Sequence, residues 1–576
     1  MNNLGDFGTF LAALNGILWH EYVMFGIVAT GILFTVWSGF SQYRALTHGP
    51  RVVRGIYDDP NDPGAINHFQ ALSAALSATV GLGNIGGVAL AIALGGPGAI
   101  FWMWVVGVLG MAIKLTEVTL SMLYRNVEDP DNPHGGPMWV VTKAVANRHP
   151  RLKPLASIVA VIFCVTLTIS SITGGNMFQA WNVAELTNEY FGVPTWVSGI
   201  LLAMMVGAVI IGGIKRIGLV AGTLVPFMCA LYLIAGFVVL FINISDIPAM
   251  FVLIIKSAFV PTESAGAFIG GTAASAFLYG MKRATFSNEA GQGSSPIAHS
   301  AVKTDEPVRE GIVAGLEPFI DTIVVCTFTA LIILSTGIWN RGPDVAFDTL
   351  PAVADVEGTW QFEKRPAPAG EWKDGEKVIL VLEAHTNAET SFNTHRIEGM
   401  VTYDNGVAYI TWEPFFGPVE PTIVGNGFYK TYIGATLTSK AFDSVVPGLG
   451  KWLVTLAAWL FAVSTMISWA YYGEQGVVFL AGDKGVLVYK VAYLALAVIA
   501  TVGLIESDTD LDNLTGVGTG VLVCANIPIT LVFGWQAMRA YHEYIGRLKA
   551  GQMGPDHPPP TIEDLLSGRD VEKRKG

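Results

Sequence analysis

The chain has 576 residues, 52% of them hydrophobic and only 14% charged, with a mean hydropathy of +0.49. A soluble core has no use for so many apolar residues, so the composition places the chain among polytopic membrane proteins. The net charge of -12 resides largely in loops and tails and speaks of solubility at the membrane surface, excluding a nucleic-acid partner.

Crossing about 30 Å of hydrocarbon takes roughly 20 apolar residues. Runs of that kind fall at about 21–41, 68–94, 98–124, 156–182, 195–213, 217–243, 266–284, 310–337, 447–473, 486–505 and 515–537, and predict about eleven transmembrane helices. The first run has no Lys or Arg before it and no A-x-A-like site after it, so it is expected to remain as a helix and not to be cleaved as a signal peptide. Alternate loops collect the basic residues. Arg44, Arg51 and Arg54 follow the first run, and Arg125, Lys143, Arg148, Arg151 and Lys153 follow the third. Lys215 and Arg216 follow the fifth; Lys282, Arg283, Lys303 and Arg309 follow the seventh. The loops near Gly96, Asn188 and Asp508 carry none, and Lys256 is the main exception among short loops. Cytoplasmic loops are enriched in Lys and Arg, which predicts an outer N-terminus and a cytoplasmic C-terminus. Cys164, Cys229, Cys326 and Cys524 all lie within predicted spans and act most simply as small apolar residues; no disulfide or zinc spacing occurs.

Between 340 and about 440 the apolar runs stop, and VEGTWQFEKRP, EKVILVLEAHT and GMVTYDNGVAYITWEPF alternate β-branched and aromatic residues. With Asp404-Asn405-Gly406 as a turn signal, this predicts short strands in hairpins, forming a small β-rich domain outside the membrane. It reads either as an elaborated surface loop or as a ligand-sensing module. From Met553 the chain is rich in proline and charge and reads as a flexible cytoplasmic tail.

The candidate site starts at Thr79, in TVGLGNIGGVALAIALGGPGAIFWMW. Gly81, Gly83 and Gly86 match G-x-G-x-x-G, but a nucleotide fingerprint needs a strand and a βαβ unit, and here the motif lies within a membrane span. Close helix packing explains one or two of the glycines. Thr79, Val80, Gly81, Gly83 and Asn84 together predict local unwinding, which at membrane depth survives only where it lines a cavity or is buried in protein. Asn176, Gln179 and Val183 share a helix face; Gln179 reads as a cavity residue, its amide otherwise serving as interhelical glue. Gly270, Gly271 and Thr272 repeat the glycine-interrupted pattern, and two such segments in corresponding halves point to a transporter's binding site. Carbonyls of one break and N–H groups of the other suit the ammonium and carboxylate of an α-amino acid. Asn288, Glu289 and His299, next to Lys282 and Arg283, read as a gate network or a solvated loop. Ser464, Thr465, Ser468 and Trp469 follow on the ninth run; the paired hydroxyls suit a hard cation such as sodium, or bond back to their own helix. Lys114 and Glu117 call for an ion pair within or between helices, while Glu317 and Asp321 are intramembrane acids fit for proton coupling.

Taken together, SATVGLGNIGGVALAIALGGPGAIFWMW, GGPMWVV, GGNMFQAWN, IGGIKRI, FSNEAGQGSSPIAHSAVKTDEPVREG, FIDTIVVCTFTALIIL and STMISWAYYGE resemble the alanine/glycine:cation symporters, over about 65–337 and 445–535. The resemblance implies an all-α polytopic fold, a five-plus-five inverted repeat of the leucine-transporter type with an extra N-terminal helix. The first broken helix is then the span containing Thr79, Gly83 and Asn84, and the second runs from Gly270 to about Arg283. The expected layout is 1–64 for the extra helix and its loop, 65–243 for the first repeat, 244–337 for the start of the second, 338–443 for the β-rich extracytoplasmic insertion, 444–537 for the remaining helices and 538–576 for the tail.

The same resemblance implies sodium-coupled import of small neutral amino acids, alanine or glycine, across a plasma membrane such as a bacterial inner membrane. Substrate would meet Thr79, Gly83, Asn84, Gln179, Gly270, Gly271, Thr465, Met466 and Trp469; the sodium site would take the carbonyls near Ser77 and Val80 and the hydroxyls of Ser464 and Thr465. Two departures stand out: Trp181 brings bulk where many relatives carry QANS, and the insertion after Trp339 is foreign to the usual pattern. Competing readings are a proton-coupled transporter and a transport-derived sensor using the insertion. A membrane-embedded enzyme built on Glu289 and His299 lacks a nucleophile and base at suitable spacing. Nothing in the sequence sets an oligomeric state.

Overall fold

The computed structural model describes residues 2–59, 62–129, 133–262, 268, 270–370, 372–386, 392–432, 434–503, 508–553, 557 and 559–567. The first apolar run, at 21–41, becomes α2 (Glu21–Trp37); α1 (Asn2–Leu18) precedes it and α3 (Ser41–Val53) follows. A capping box, Asn67 with Gln70, starts α4 (His68–Thr79). It is followed by α5 (Val88–Gly95), α6 (Ala99–Tyr124), α7 (Pro137–Arg148), α8 (Lys153–Ile172), α9 (Phe178–Phe191), α10 (Thr195–Ile210) and α11 (Gly213–Ile242). Next come α12 (Ile247–Ser257), α13 (Ala273–Asn288), α14 (Ser295–His299), α15 (Pro307–Ala314) and α16 (Thr327–Ser335). Beyond the insertion lie α17 (Ala435–Val445), α18 (Thr455–Ala481), α19 (Val486–Ile499), α20 (Asp508–Lys549) and α21 (Ile562–Ser567). Wide π turns at Gly83–Gly87, Thr173–Met177, Phe319–Cys326 and Gly450–Val454 lie within the long helical stretches; such turns often sit at functional sites.

Among the described residues, seven helical stretches are long and apolar enough to cross a membrane: Phe10–Trp37, Ala99–Tyr124, Pro150–Phe191, Gly213–Ile242, Pro307–Ser335, Gly450–Ala481 and Asp512–Lys549. An eighth span results if His68–Thr79 and Gly83–Gly95, bent by 49° against each other, count as one. The molecule is therefore a helical polytopic membrane protein. The runs expected at 195–213 and 486–505 become the shorter helices α10 and α19, of 16 and 14 residues. The run expected at 266–284 becomes α13, shifted toward the C-terminus; residues 263–267 and 269 lie outside the described residues, as does most of the tail beyond Met553. Helices buried on every side lie at the centre: the second half of α6 and the Phe461–Gly473 stretch of α18 are buried throughout. By contrast α11 exposes Phe227, Ile234, Phe237 and Phe241, a lipid-facing stripe.

One group of basic residues departs from the loop pattern. Lys282 and Arg283 are not loop charges; they sit inside α13, buried, where both pair with Asp512 near the start of α20. A buried cation needs a carboxylate partner, and this one lies 230 residues along the chain from Lys282.

The insertion is β-rich as expected. Strands β1 (Val345–Ala346), β2 (Val353–Val356), β3 (Thr359–Phe362), β4 (Arg365–Pro366), β5 (Lys377–Glu383), β6 (Thr394–Asp404), β7 (Val407–Trp412), β8 (Thr422–Ile423) and β9 (Gly427–Lys430) pair antiparallel throughout. The main sheet runs β1-β9-β5-β6-β7-β4, with β8 also on β5, and β2-β3 form a separate hairpin. Asn405 and Gly406 both take positive φ (50° and 82°) between Asp404 and Val407, the two-residue turn that their types favour. Val378, Leu380, Leu382, Val401 and Trp412 form its core. The sheet touches the helices where Lys373 Nζ reaches Asn188 Oδ1 (3.4 Å) and where Phe392 lies against Gly270.

Candidate functional site

α4 stops at Thr79 because Val80 leaves the helical conformation (φ −79°, ψ 87°), and winding resumes at Gly83. Backbone amides released at membrane depth need partners, and two polar side chains supply them. The Gly81 N–H donates to Asn84 Oδ1 (2.8 Å) and the Leu82 N–H to Gln179 Oε1 (3.2 Å). Asn84 is held in turn: its Nδ2 donates to the Asp321 carboxylate and to Ser287 Oγ (3.2 Å). Asp321 also accepts from the Ser287 and Thr322 hydroxyls, at 2.7 and 2.8 Å. The buried acid at 321 thus braces the break from behind.

On the other side of the break stands α18. A Cβ on Gly81 would lie 2.2 Å from Thr465 Oγ1 and 3.4 Å from Gln179 Oε1; glycine is what lets the hydroxyl face bare backbone. Thr465 is 1% exposed and its Oγ1 has no hydrogen-bond partner, and Ser468 Oγ one turn on is likewise unpartnered. Buried polar atoms are nearly always paired, so an orphan hydroxyl beside an unwound backbone is left free to engage a further oxygen or a cation. Next to it, Ser77 Oγ donates to the Ser464 carbonyl (2.7 Å) and lies 2.7 Å from Ser464 Oγ, clasping α4 to α18. Ser77, Gly81, Gln179, Ser464 and Thr465 therefore converge.

Aromatic rings pack around these residues. The Trp469 ring packs on Gly175, where a Cβ would fall 2.3 Å from its Cγ, and its carbonyl accepts from Ser171 Oγ (2.7 Å). The Met466 side chain is fully buried, and its carbonyl accepts from Tyr493 Oη (2.9 Å). Phe286 lies against both Gly83 and Gly174, edge-on to Phe178 at 5.0 Å. Sequence reasoning missed Phe286; glycines at corresponding places on two polar helices were the available signal for a ring between them.

Other expected residues lie elsewhere. Thr79 Oγ1 bonds back to the Ala75 carbonyl (3.3 Å). Gly271 bridges Thr262 and lies by Gly95, while Gly270 (φ +98°) faces Phe392 of the insertion. The helix after them is not interrupted over Gly270 to Arg283. A capping box of Thr272 and Ser275 starts α13 at once, and it runs unbroken to Asn288. The interruption follows at 289–294, where Glu289, Gly291 and Gly293 take φ of 56°, 86° and 72°. Lys114 pairs across helices with Glu317 (3.2 Å) rather than with Glu117, whose Oε2 accepts the Gly293 N–H (3.2 Å). His299 bonds Glu310 and Glu317, not Lys282 or Arg283.

Comparison with known proteins fits this arrangement. Residues 5–361 and 422–557 match the sodium:alanine symporter family, the gap covering β4 to β7 of the insertion. The sodium/alanine symporter AgcS of Methanococcus maripaludis is 34% identical over 492 residues, 85% of this chain and 88% of its own. YrbD of Bacillus subtilis, provisionally named a sodium/proton-dependent alanine carrier protein, is 29% identical over 546 residues, 94% and 93% of the two chains. The amino-acid carrier protein AlsT of the same organism is 27% identical over 546 residues, 95% and 94%. With a braced break in α4, an orphan hydroxyl facing it and a match that runs along nearly all the membrane helices, the chain belongs to the sodium:alanine symporter family, a family of transporters.

Proposed function

We propose that the protein imports a small neutral amino acid, alanine or glycine first, driven by sodium and working by alternating access. The observation that carries this reading is the Thr465 hydroxyl, sealed and unpartnered against the Gly81 backbone beside Gln179. Sodium, as co-transported cargo, takes the hydroxyls of Ser77, Ser464 and Thr465 and the carbonyl at Val80; these are the neutral oxygens a hard cation prefers. The amino acid occupies the space bounded by Gly83, Gln179, Met466, Trp469 and Phe286, with Asn84 holding the break open. Gly270 and Gly271 belong to the entrance beneath the insertion rather than to the pocket. Gln179, Thr465 and Trp469 are each at most 5% exposed, so the ligand enters only when α4 and α18 part. Sodium bridging these two helices favours the arrangement that also binds substrate, which is the coupling.

The same reading has the core as two inverted five-helix repeats after one extra N-terminal helix, about eleven spans in all, with the N-terminus outside and the C-terminus cytoplasmic. Purified protein in liposomes tests it. Labelled alanine is expected to accumulate only with an inward sodium gradient; equal accumulation without one refutes sodium coupling. Proton coupling is the second reading, favoured by the YrbD name and by Asp321, whose carboxylate braces the break. Uptake in sodium-free buffer that a protonophore abolishes would establish it.

A further inference from the structure

The interruption at 289–294 carries a second group of sealed polar atoms, away from the Gly81 break. Three successive residues there each hold an acid. The Gly293 N–H donates to Glu117 Oε2 (3.2 Å), Ser294 Oγ donates to Glu289 Oε2, and Ser295 Oγ donates to both oxygens of Glu317 at 2.9 Å. Acids from α6, from the end of α13 and from just before the Phe319–Cys326 turn are thereby gathered around one short loop. Glu317 has cationic partners, with Lys114 Nζ at 3.2 Å and His299 Nε2 at 2.6 Å. Glu117 and Glu289 make no ion pair among the described residues, and each keeps one oxygen, Oε1, without a hydrogen bond. Gln292 Oε1, in the same turn, is unpartnered too, its Nε2 being used on the Thr285 carbonyl (2.7 Å). So is Tyr472 Oη on α18, which lies within electrostatic reach of Glu289. All four residues are at most 3% exposed.

Buried polar atoms left without partners are rare and costly, and here four belong to residues set around one turn. Ionised carboxylate and side-chain amide oxygens carry lone pairs and no proton, so they cannot satisfy one another; a cation satisfies them all. The local charge points the same way. The buried acids Glu117, Glu289, Glu310, Glu317 and Asp321 outnumber Lys114, His68 and His299. Lys114 is within electrostatic reach of Glu117 and Glu289, yet its ammonium is bonded to Glu317. Glu289 also takes a left-handed φ of 56°, a conformation that Gly or Asn adopts more easily, so a carboxylate stands there against backbone preference. Among the described residues no group of three His, Cys, Asp or Glu has metal-holding geometry, which leaves out a zinc-type ion. Two carboxylates with an amide and a phenol oxygen suit a hard cation instead.

We propose that the turn at 289–294 is a second sodium site, in which Glu117, Glu289, Gln292 and Tyr472 hold one resident ion, separate from the ion between α4 and α18. This ion is a fixed part of the fold and not cargo, so the proposal stands apart from the transport reading above. It ties α6, the end of α13 and α18 together where the chain is interrupted, and so holds the second break in shape as Asp321 holds the first. Its charge offsets the two carboxylates that Lys114 leaves unpaired.

The test is binding of labelled sodium to the purified full-length protein, with choline keeping the ionic strength constant and no alanine present. Two ions per chain are expected for the wild type. Glu289→Gln and Glu117→Gln keep the side-chain shape and remove the charge, and each should bind one ion. Thr465→Ala should lose the other ion and keep this one. Tyr472→Phe gives up no hydrogen bond, so the fold tolerates it, and it should weaken one of the two ions about tenfold. In the Thr465→Ala background sodium should still raise the melting temperature, and adding Tyr472→Phe should diminish that rise. Sodium binding equal to wild type in Tyr472→Phe and in folded Glu289→Gln overturns the second site. A single ion in the wild type that Thr465→Ala removes overturns it as well and leaves the transport reading intact. Sodium binding that Glu289→Gln reduces and Thr465→Ala leaves unchanged upholds the second site and overturns the sodium cage of the transport reading.

Discussion

Gly81→Ala isolates the Thr465 hydroxyl. The new methyl would sit 2.2 Å from Thr465 Oγ1 and 3.3 Å from Thr465 Cβ, with Gln179 Oε1 at 3.4 Å. Non-bonded carbons rest at roughly 3.5–4.0 Å, so the hydroxyl must turn away by χ1 rotation while the rest of the site adjusts by tenths of an ångström. Because Oγ1 has no hydrogen bond to lose, the stability cost stays at the low end for overpacking, about 1 kcal/mol. Sodium binding loses more: a polar contact to a charged group contributes about 1.5–3 kcal/mol, or about 10–150-fold in half-saturating sodium. The assay is labelled alanine uptake into liposomes at stepped sodium concentrations, with the melting temperature of the purified protein measured alongside. Adding Thr465→Ala removes the clash without restoring the oxygen, so the double variant should recover the melting temperature and not the sodium affinity. Wild-type sodium dependence in folded Gly81→Ala protein would show that the hydroxyl is no ligand and refute the reasoning.

Asp512→Asn should destabilise the protein by about 3–5 kcal/mol, because it leaves the buried Lys282 and Arg283 without their carboxylate; an unchanged melting temperature would contradict the pairing. Excising the insertion is expected to spare transport. Val345 and Phe428 are paired across β1 and β9, so the flanking chain ends lie side by side, and a short linker between 344 and 431 should preserve sodium-driven uptake. Folded protein that no longer binds alanine after the excision would instead favour a sensing role for the sheet.

Features encoded within a few residues were legible in the sequence. The break after Thr79 follows from glycines, Asn84 and a lack of charge in an otherwise apolar run, and the Asn405-Gly406 hairpin from two residue types that accept positive φ. Both are backbone preferences, and a backbone preference is set by its immediate neighbours. The sequence reading puts the second interruption at Gly270-Gly271, but a capping box at Thr272 starts α13 at once and carries it to Asn288, so the positive-φ residues come only at Glu289, Gly291 and Gly293. Charge pairing was likewise out of reach. Glu117 stands one turn from Lys114, yet Lys114 turns to Glu317, and Lys282 and Arg283 find their acid on α20. A buried charge takes whichever opposite charge helix packing brings to it, and that packing joins segments hundreds of residues apart.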